Sequence, residues 1–145
     1  MEFLSDKLVK LIERDADQMT KKWLSNVQSH PTTPTYHTFD KKRLYNRAFR
    51  VYSQLGKWIS RETSKEKIAE YYTALGKQRC KEGFALSEVI QALIITRRNI
   101  WLKVLSEGFL DTVLDHHQAL ELNNRVVLFF DRAIYFTSLG YEKTE

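Results

Sequence analysis

The chain has 145 residues, of which 43% are hydrophobic and 28% charged, with a formal net charge of +5 and a single cysteine. That length argues for one domain over residues 1–145, and that composition excludes disorder; a chain of this size buries about 68–70% of its unfolded surface and needs no disulfide or metal staple. No apolar run approaches the roughly 18–20 residues of a membrane span, no secretory signal opens the chain, and Cys80 has no internal partner, so the expectation is a soluble cytoplasmic protein with no membrane contact.

Chain-breaking residues are scarce, at five Gly and two Pro. Both prolines fall in His30-Pro31-Thr32-Thr33-Pro34-Thr35-Tyr36, the one clear loop. The first predicted helix precedes it, from about residue 3 to 28, with Leu4, Leu8, Leu11, Ile12, Met19, Trp23 and Val27 on one face. The second runs from about Asp40 to Ser60 on the stripe Leu44, Ala48, Val51, Tyr52, Leu55 and Ile59. Thr63-Ser64-Lys65-Glu66 has capping-box spacing and opens the third, which carries Ile68, Tyr72 and Leu75 and stops at Gly83. Ser87 is the expected cap of the fourth, with Glu88 placed to favour the positive end of the helix dipole. That helix runs to Gly108 and is apolar on both sides, which marks a central helix or an interface. The fifth runs from about Asp111 to Leu139, with a candidate break near His116 and Gly140 as its stop. No segment alternates like a strand, so the class is all-α, a single helical bundle of about five to six helices with sequential helices as neighbours.

Two arginines interrupt this pattern. At about 100° per residue, Arg79 projects into the stripe of Ile68, Tyr72, Leu75 and Gly76, and Arg97 into that of Ile90, Leu93, Trp101 and Val104. A lone buried charge is costly, so each needs a partner, and Glu82, Glu88 and Asp131 are the candidates. The structural alternative is a methylene stem lying on the core with the guanidinium in water. Arg79, Glu88, Arg97, Trp101 and Asp131 form the candidate ligand-binding or structural polar cluster; a folding signature of stop, cap and interhelical pairing explains the same residues.

Catalytic and metal signals are weak. The neighbours Lys77, Arg79 and Lys81 would favour a Cys80 thiolate, but no histidine lies close in sequence. No Gly-rich phosphate loop, nucleophile elbow or metal-ligand spacing occurs, so no enzyme and no metal site are expected. Adjacent His116 and His117 point about 100° apart, and either one is a candidate axial ligand if the helices enclose a haem. Lys41, Lys42, Arg43, Arg47 and Arg50 make a basic segment, and the helices around Gly83 superficially resemble a helix-turn-helix. Interspersed acidic residues and the two-sided apolar character of the fourth helix disfavour nucleic acid.

The run Leu75-Gly76-Lys77-Gln78-Arg79-Cys80-Lys81-Glu82-Gly83-Phe84-Ala85-Leu86-Ser87-Glu88-Val89-Ile90 resembles the N-terminal domain of stressosome RsbT co-antagonist (RsbRD-type) proteins. The resemblance continues through Ala92-Leu93, Arg97-Arg98-Asn99-Ile100-Trp101 and the closing Phe129-Phe130-Asp131-Arg132-Ala133-Ile134-Tyr135 with Gly140-Tyr141-Glu142, covering residues 8 to 142. It implies a helical sensory domain with a haem-free globin-like fold that dimerises and acts before a signalling output domain such as a STAS domain or histidine kinase. This sequence ends at Glu145 without such a domain, so the expectation is either a stand-alone sensor-like protein or one unit of a longer chain. The resulting functional expectation is a non-catalytic signal-input and protein-interaction domain of a bacterial stress or two-component system. It is expected to be a homodimer with a signalling protein partner and no cofactor. A haem- or small-ligand-binding globin-like sensor using His116 or His117 is the alternative, ahead of a nucleic-acid-binding regulator.

Overall fold

Eight helices and no strand make up the described residues, 4–60, 63–107 and 113–144 of the computed structural model. They are α1 (Leu4–Arg14), α2 (Ala16–Ser29), α3 (Pro34–Thr38), α4 (Lys41–Ser53), α5 (Leu55–Ile59), α6 (Lys65–Lys81), α7 (Leu86–Ser106) and α8 (Val113–Thr144). The all-α class expected from periodicity is therefore correct, with more pieces than periodicity resolved. The first predicted helix is divided at Asp15 (φ −96°, ψ 21°) and the second at Gln54 (φ −122°, ψ 27°). Apolar spacing continues across both joints, so the side-chain pattern carries no trace of the change in backbone angle.

The proline segment also holds more order than a loop. Pro34 stands at the start of α3, where the absent amide hydrogen has no cost. Tyr36 on α3 is buried against Trp23 and Phe84, with ring centroids 6.1 and 4.6 Å away. At α6 the cap is Ser64, whose hydroxyl accepts from the Lys67 N–H at 3.2 Å. Ser87, expected to cap α7, is exposed within the helix instead; Ala85 occupies the cap position and Glu88 reaches back to its N–H at 3.1 Å. The carboxylate side chain does the work assigned to the hydroxyl.

Gly83 ends α6 as expected. Its φ of +92° is left-handed, and the turn carries the paired bonds of a Schellman motif, Gly83 N–H to Cys80 C=O and Phe84 N–H to Arg79 C=O, both 3.1 Å. Gly140 is a correction. It does not stop the last helix, and no break occurs near His116; α8 continues through both to Thr144. The expected boundaries at Gly108 and Asp111 lie outside the described residues.

Gly140 serves the crossing of α8 with α6, the most extensive helix contact among the described residues. A Cβ on Gly140 would stand 2.3 Å from the Thr73 carbonyl oxygen, and one on Gly76 would stand 2.2 Å from that of Thr137. Two glycines, one from each helix, therefore let the backbones meet. Gly140, expected from sequence to be a terminator, is thus the packing partner of Gly76. The consecutive helices α6 and α7 are not extensive neighbours; α8 packs on both. The core lies between these three and α1, α2, α4 and α5, filled by residues such as Leu8, Ile12, Tyr52, Tyr72, Leu122 and Phe130.

In a helix interior, Gly→Ala ordinarily stabilises by about 1 kcal/mol. Here the sign reverses, because the new methyl meets backbone that cannot rotate away. Gly140→Ala should lower the unfolding free energy by about 2 kcal/mol in a urea titration followed by circular dichroism. A gain in stability would show that the crossing is loose.

Candidate functional site

Glu88 is 5% exposed and reaches the start of two helices at once. Its Oε1 accepts from the Thr35 N–H at 2.6 Å, and its Oε2 accepts from the Thr35 hydroxyl at 2.8 Å and the Ala85 N–H at 3.1 Å. The first amides of a helix have no intrahelical acceptor, and negative charge is favoured there. One carboxylate thus satisfies donors at the heads of α3 and α7 and ties them together. The role of a cap and the role in a polar site both begin at this residue.

The second part of the site is built on the last turn of α6. Arg79 is 7% exposed and its Nη1 lies 3.4 Å from Glu82 Oε1, the partner anticipated from sequence. Glu82 Oε2 also accepts from Arg47 at 2.6 Å and Arg43 at 2.7 Å. Both α4 guanidinium groups stack over the Phe39 ring, at 5.0 and 4.9 Å from its centroid. Three cations therefore share one carboxylate. Burial, followed by the like charge of Arg47, pushes the Arg79 pKa below its ordinary value; the Glu82 carboxylate opposes this without cancelling it. At Arg47, Nη1 is buried with no hydrogen-bond partner among the described residues.

Two spaces meet at these arginines. An open cleft of about 620 Å³ lies between α4 and α6, lined among others by Arg43, Arg50, Lys67 and Glu70. Behind it an internal cavity of about 60 Å³ reaches α7, with Tyr72, Ala48 and Ala92 among its walls. Arg47 and Arg79 line both. Tyr72 is 1% exposed, its hydroxyl has no hydrogen-bond partner among the described residues, and burial pushes its pKa well up, so it remains a proton donor.

The other sequence candidates lie elsewhere. Arg97 is half-buried, and no hydrogen bond or ion pair reaches it among the described residues, which fits a stem on the core with its head toward water. Trp101 stands 13 positions along α7 from Glu88, about 20 Å of helix, and donates to Asn123 Oδ1 of α8 at 2.6 Å. Asp131 is exposed on α8 and pairs with neither arginine. The five-residue cluster is thus divided: Arg79 and Glu88 flank the buried Tyr36, while Trp101 belongs to the α7–α8 seam. His116 and His117 are both exposed, and neither lines the internal cavity. No group of three His, Cys, Asp or Glu able to hold a metal ion occurs among the described residues.

Arg47 and Tyr72 escaped the sequence reading. Arg47 carried a signal, since it falls between Leu44, Ala48 and Val51 on the apolar stripe of α4 and so points inward like Arg79. Counting it with the surface basic segment hid this. Tyr72 gave no signal, because a tyrosine on an apolar stripe finds a partner for its hydroxyl in most folds.

Glu82 makes the site pH-dependent. Burial opposes its ionisation, but the hydrogen bond from Arg47 and the charges of Arg47, Arg79 and Arg43 prevail, so its pKa lies below the ordinary 4.5. Its ionised form stabilises the fold above pH 4.5, and that contribution fades as pH falls through the lower folded value. Glu82→Gln should cost about 2 kcal/mol at neutral pH, and the gap to wild type should narrow as urea titrations move below about pH 4.5. A gap independent of pH would show that the carboxylate's charge is irrelevant. Glu88→Ala should cost about 2–3 kcal/mol in the same measurement by stranding the Thr35 and Ala85 donors; a loss under about 0.5 kcal/mol would mean water replaces it. Family models, curated proteins and solved structures offer no match to this chain.

Proposed function

We propose that this chain is a non-catalytic signal-input and protein-interaction domain of a bacterial stress or two-component signalling system, acting as a homodimer. The observation that carries the reading is the division of α8 into two faces. One face holds Gly140, Ala133, Phe129 and Val126 against the core, and the opposite face exposes Leu120 (62%), Leu128 (49%) and Tyr135 (62%) along one stripe, in which they alternate with the exposed Asn124 and Asp131. The nearby end of α7 exposes Leu102 (39%) and Leu105 (62%). Isolated exposed apolar residues are ordinary, but a stripe on a 32-residue helix is a surface that association buries. A two-fold axis pairs such a stripe with itself.

The same helix makes a close backbone crossing with α6, at Gly76 and Gly140. A change in packing around α6 is thereby coupled to the face offered to a partner, as an input domain requires. The sequence resemblance to stressosome co-antagonist N-terminal domains supports the same reading.

Light scattering should give a mass of about 34 kDa, twice the 17.2 kDa of the chain. Leu128→Asp combined with Tyr135→Asp should return it to the monomer value with an unchanged circular dichroism spectrum. A wild-type monomer, or a dimer untouched by both substitutions, would sink the α8 interface.

A further inference from the structure

The cluster at the junction of α4 and α6 is charged out of balance. Arg43, Arg47 and Arg79 converge on the single carboxylate of Glu82. The adjoining cleft adds Arg50 and Lys67 against Glu70. Arg47 Nη1 is buried without a partner among the described residues, and a buried donor left unpaired is destabilising. Tyr72, whose buried hydroxyl also has no partner among the described residues, lines the internal cavity. An anion at this junction would restore the charge balance and meet the free donors.

The shape of the space limits the anion. Arg47 and Arg79 stand where the open cleft and the internal cavity meet, so a head group held by them has the cavity behind it. The cavity wall beyond the arginines includes Leu44, Val51, Leu93 and Ala92. Its 60 Å³ is far less than the roughly 150 Å³ that admits benzene, so it holds only a few methylene-sized groups. A planar carboxylate matches the guanidinium fork, and a short aliphatic tail matches the cavity. A bare inorganic anion would leave the apolar space empty, and a polyanion would use the outer cleft alone.

We propose that the junction of Arg47 and Arg79 binds a short-chain aliphatic carboxylate, its head group on the two guanidinium groups and its tail of two or three carbons in the cavity between α4, α6 and α7. The Tyr72 hydroxyl is the third donor of the site. This ligand would be the signal of the input domain and to that extent rests on the preceding reading. Its binding would act on α6, and through the glycine crossing on α8.

Titration calorimetry at constant ionic strength, with acetate, butyrate, hexanoate, inorganic phosphate and heparin as probes, tests the site. Butyrate should bind about tenfold or more tighter than acetate and phosphate, and Arg47→Met should weaken it about tenfold or more. Tyr72→Phe removes one unpartnered oxygen and leaves the packing in place. It should weaken butyrate about fivefold while the thermal melt holds or rises, and it decides the matter if Arg47→Met fails to fold. Butyrate binding no tighter than phosphate, or affinity unchanged in the variant that folds, overturns the proposal. So does heparin binding that butyrate does not displace, which would mark the cleft as a polyanion surface. A dimer that ignores butyrate refutes the ligand alone; a monomer that binds butyrate refutes the α8 interface alone.

Discussion

Backbone contact between α6 and α8 is the constraint on which the rest of this domain depends. Helix axes normally stay about 8–10 Å apart because side chains intervene. At Gly76 and Gly140 none does, and each glycine faces a carbonyl of the other helix. The next residue on α8, Tyr141, donates its hydroxyl to the Phe84 carbonyl at 2.6 Å, just past the end of α6. That bond sets where the α6–α7 turn sits. Phe84 then packs on Tyr36 and Phe39, with ring centroids 4.6 and 4.8 Å away, and so the position of α3 follows from the crossing.

The polar groups of the site are consequences of that placement. Arg79 lies one helical turn beyond Gly76, on the same face, so the approach that seats Gly76 against α8 also carries Arg79 into the interior. A guanidinium there is tolerable only beside a carboxylate, and Glu82, three residues on, is within reach. Glu82 in turn draws in Arg47 and Arg43 from α4. The outcome is a positive interior corner with unmet donors beside an apolar void. Stability alone gives no reason for such a corner, since well-packed apolar residues serve at least as well as buried ion pairs. The unequal charge count is therefore the feature on which the proposed carboxylate site rests, and α8 is the long helix that packs against it through α6.

Much of this was legible in the residues. Apolar spacing located all the long helices, Gly83 was recognisable as a left-handed stop, and Arg79 with Glu82 stood out as a charge needing a partner. The failures have a common cause. Gly140 resembles a helix stop because a glycine near the end of an apolar stripe reads the same whether it turns the chain or admits another backbone. Ser87 and Glu88 both suit a helix start, and only the distances to Ala85 and Thr35 show that the carboxylate acts. Arg79 and Arg97 hold equivalent positions on their stripes, yet one is paired inside and the other is not. Their difference lies in what packs opposite each one.

By itself the sequence determined the local terms: an all-α class, the facing side of each long helix, the left-handed turn at Gly83 and the presence of inward-pointing charge. These follow from periodicities of a few residues and from the conformational range of single side chains, which do not depend on the rest of the chain. The tertiary structure alone decided the long-range terms. It paired Gly76 with Gly140, took Glu88 to Thr35, brought Arg47 across to Glu82, separated Trp101 from Arg79 and left Leu128 and Tyr135 uncovered. Each of those depends on which helix faces which, and hydrophobic burial, being non-directional, does not specify that from a single stripe.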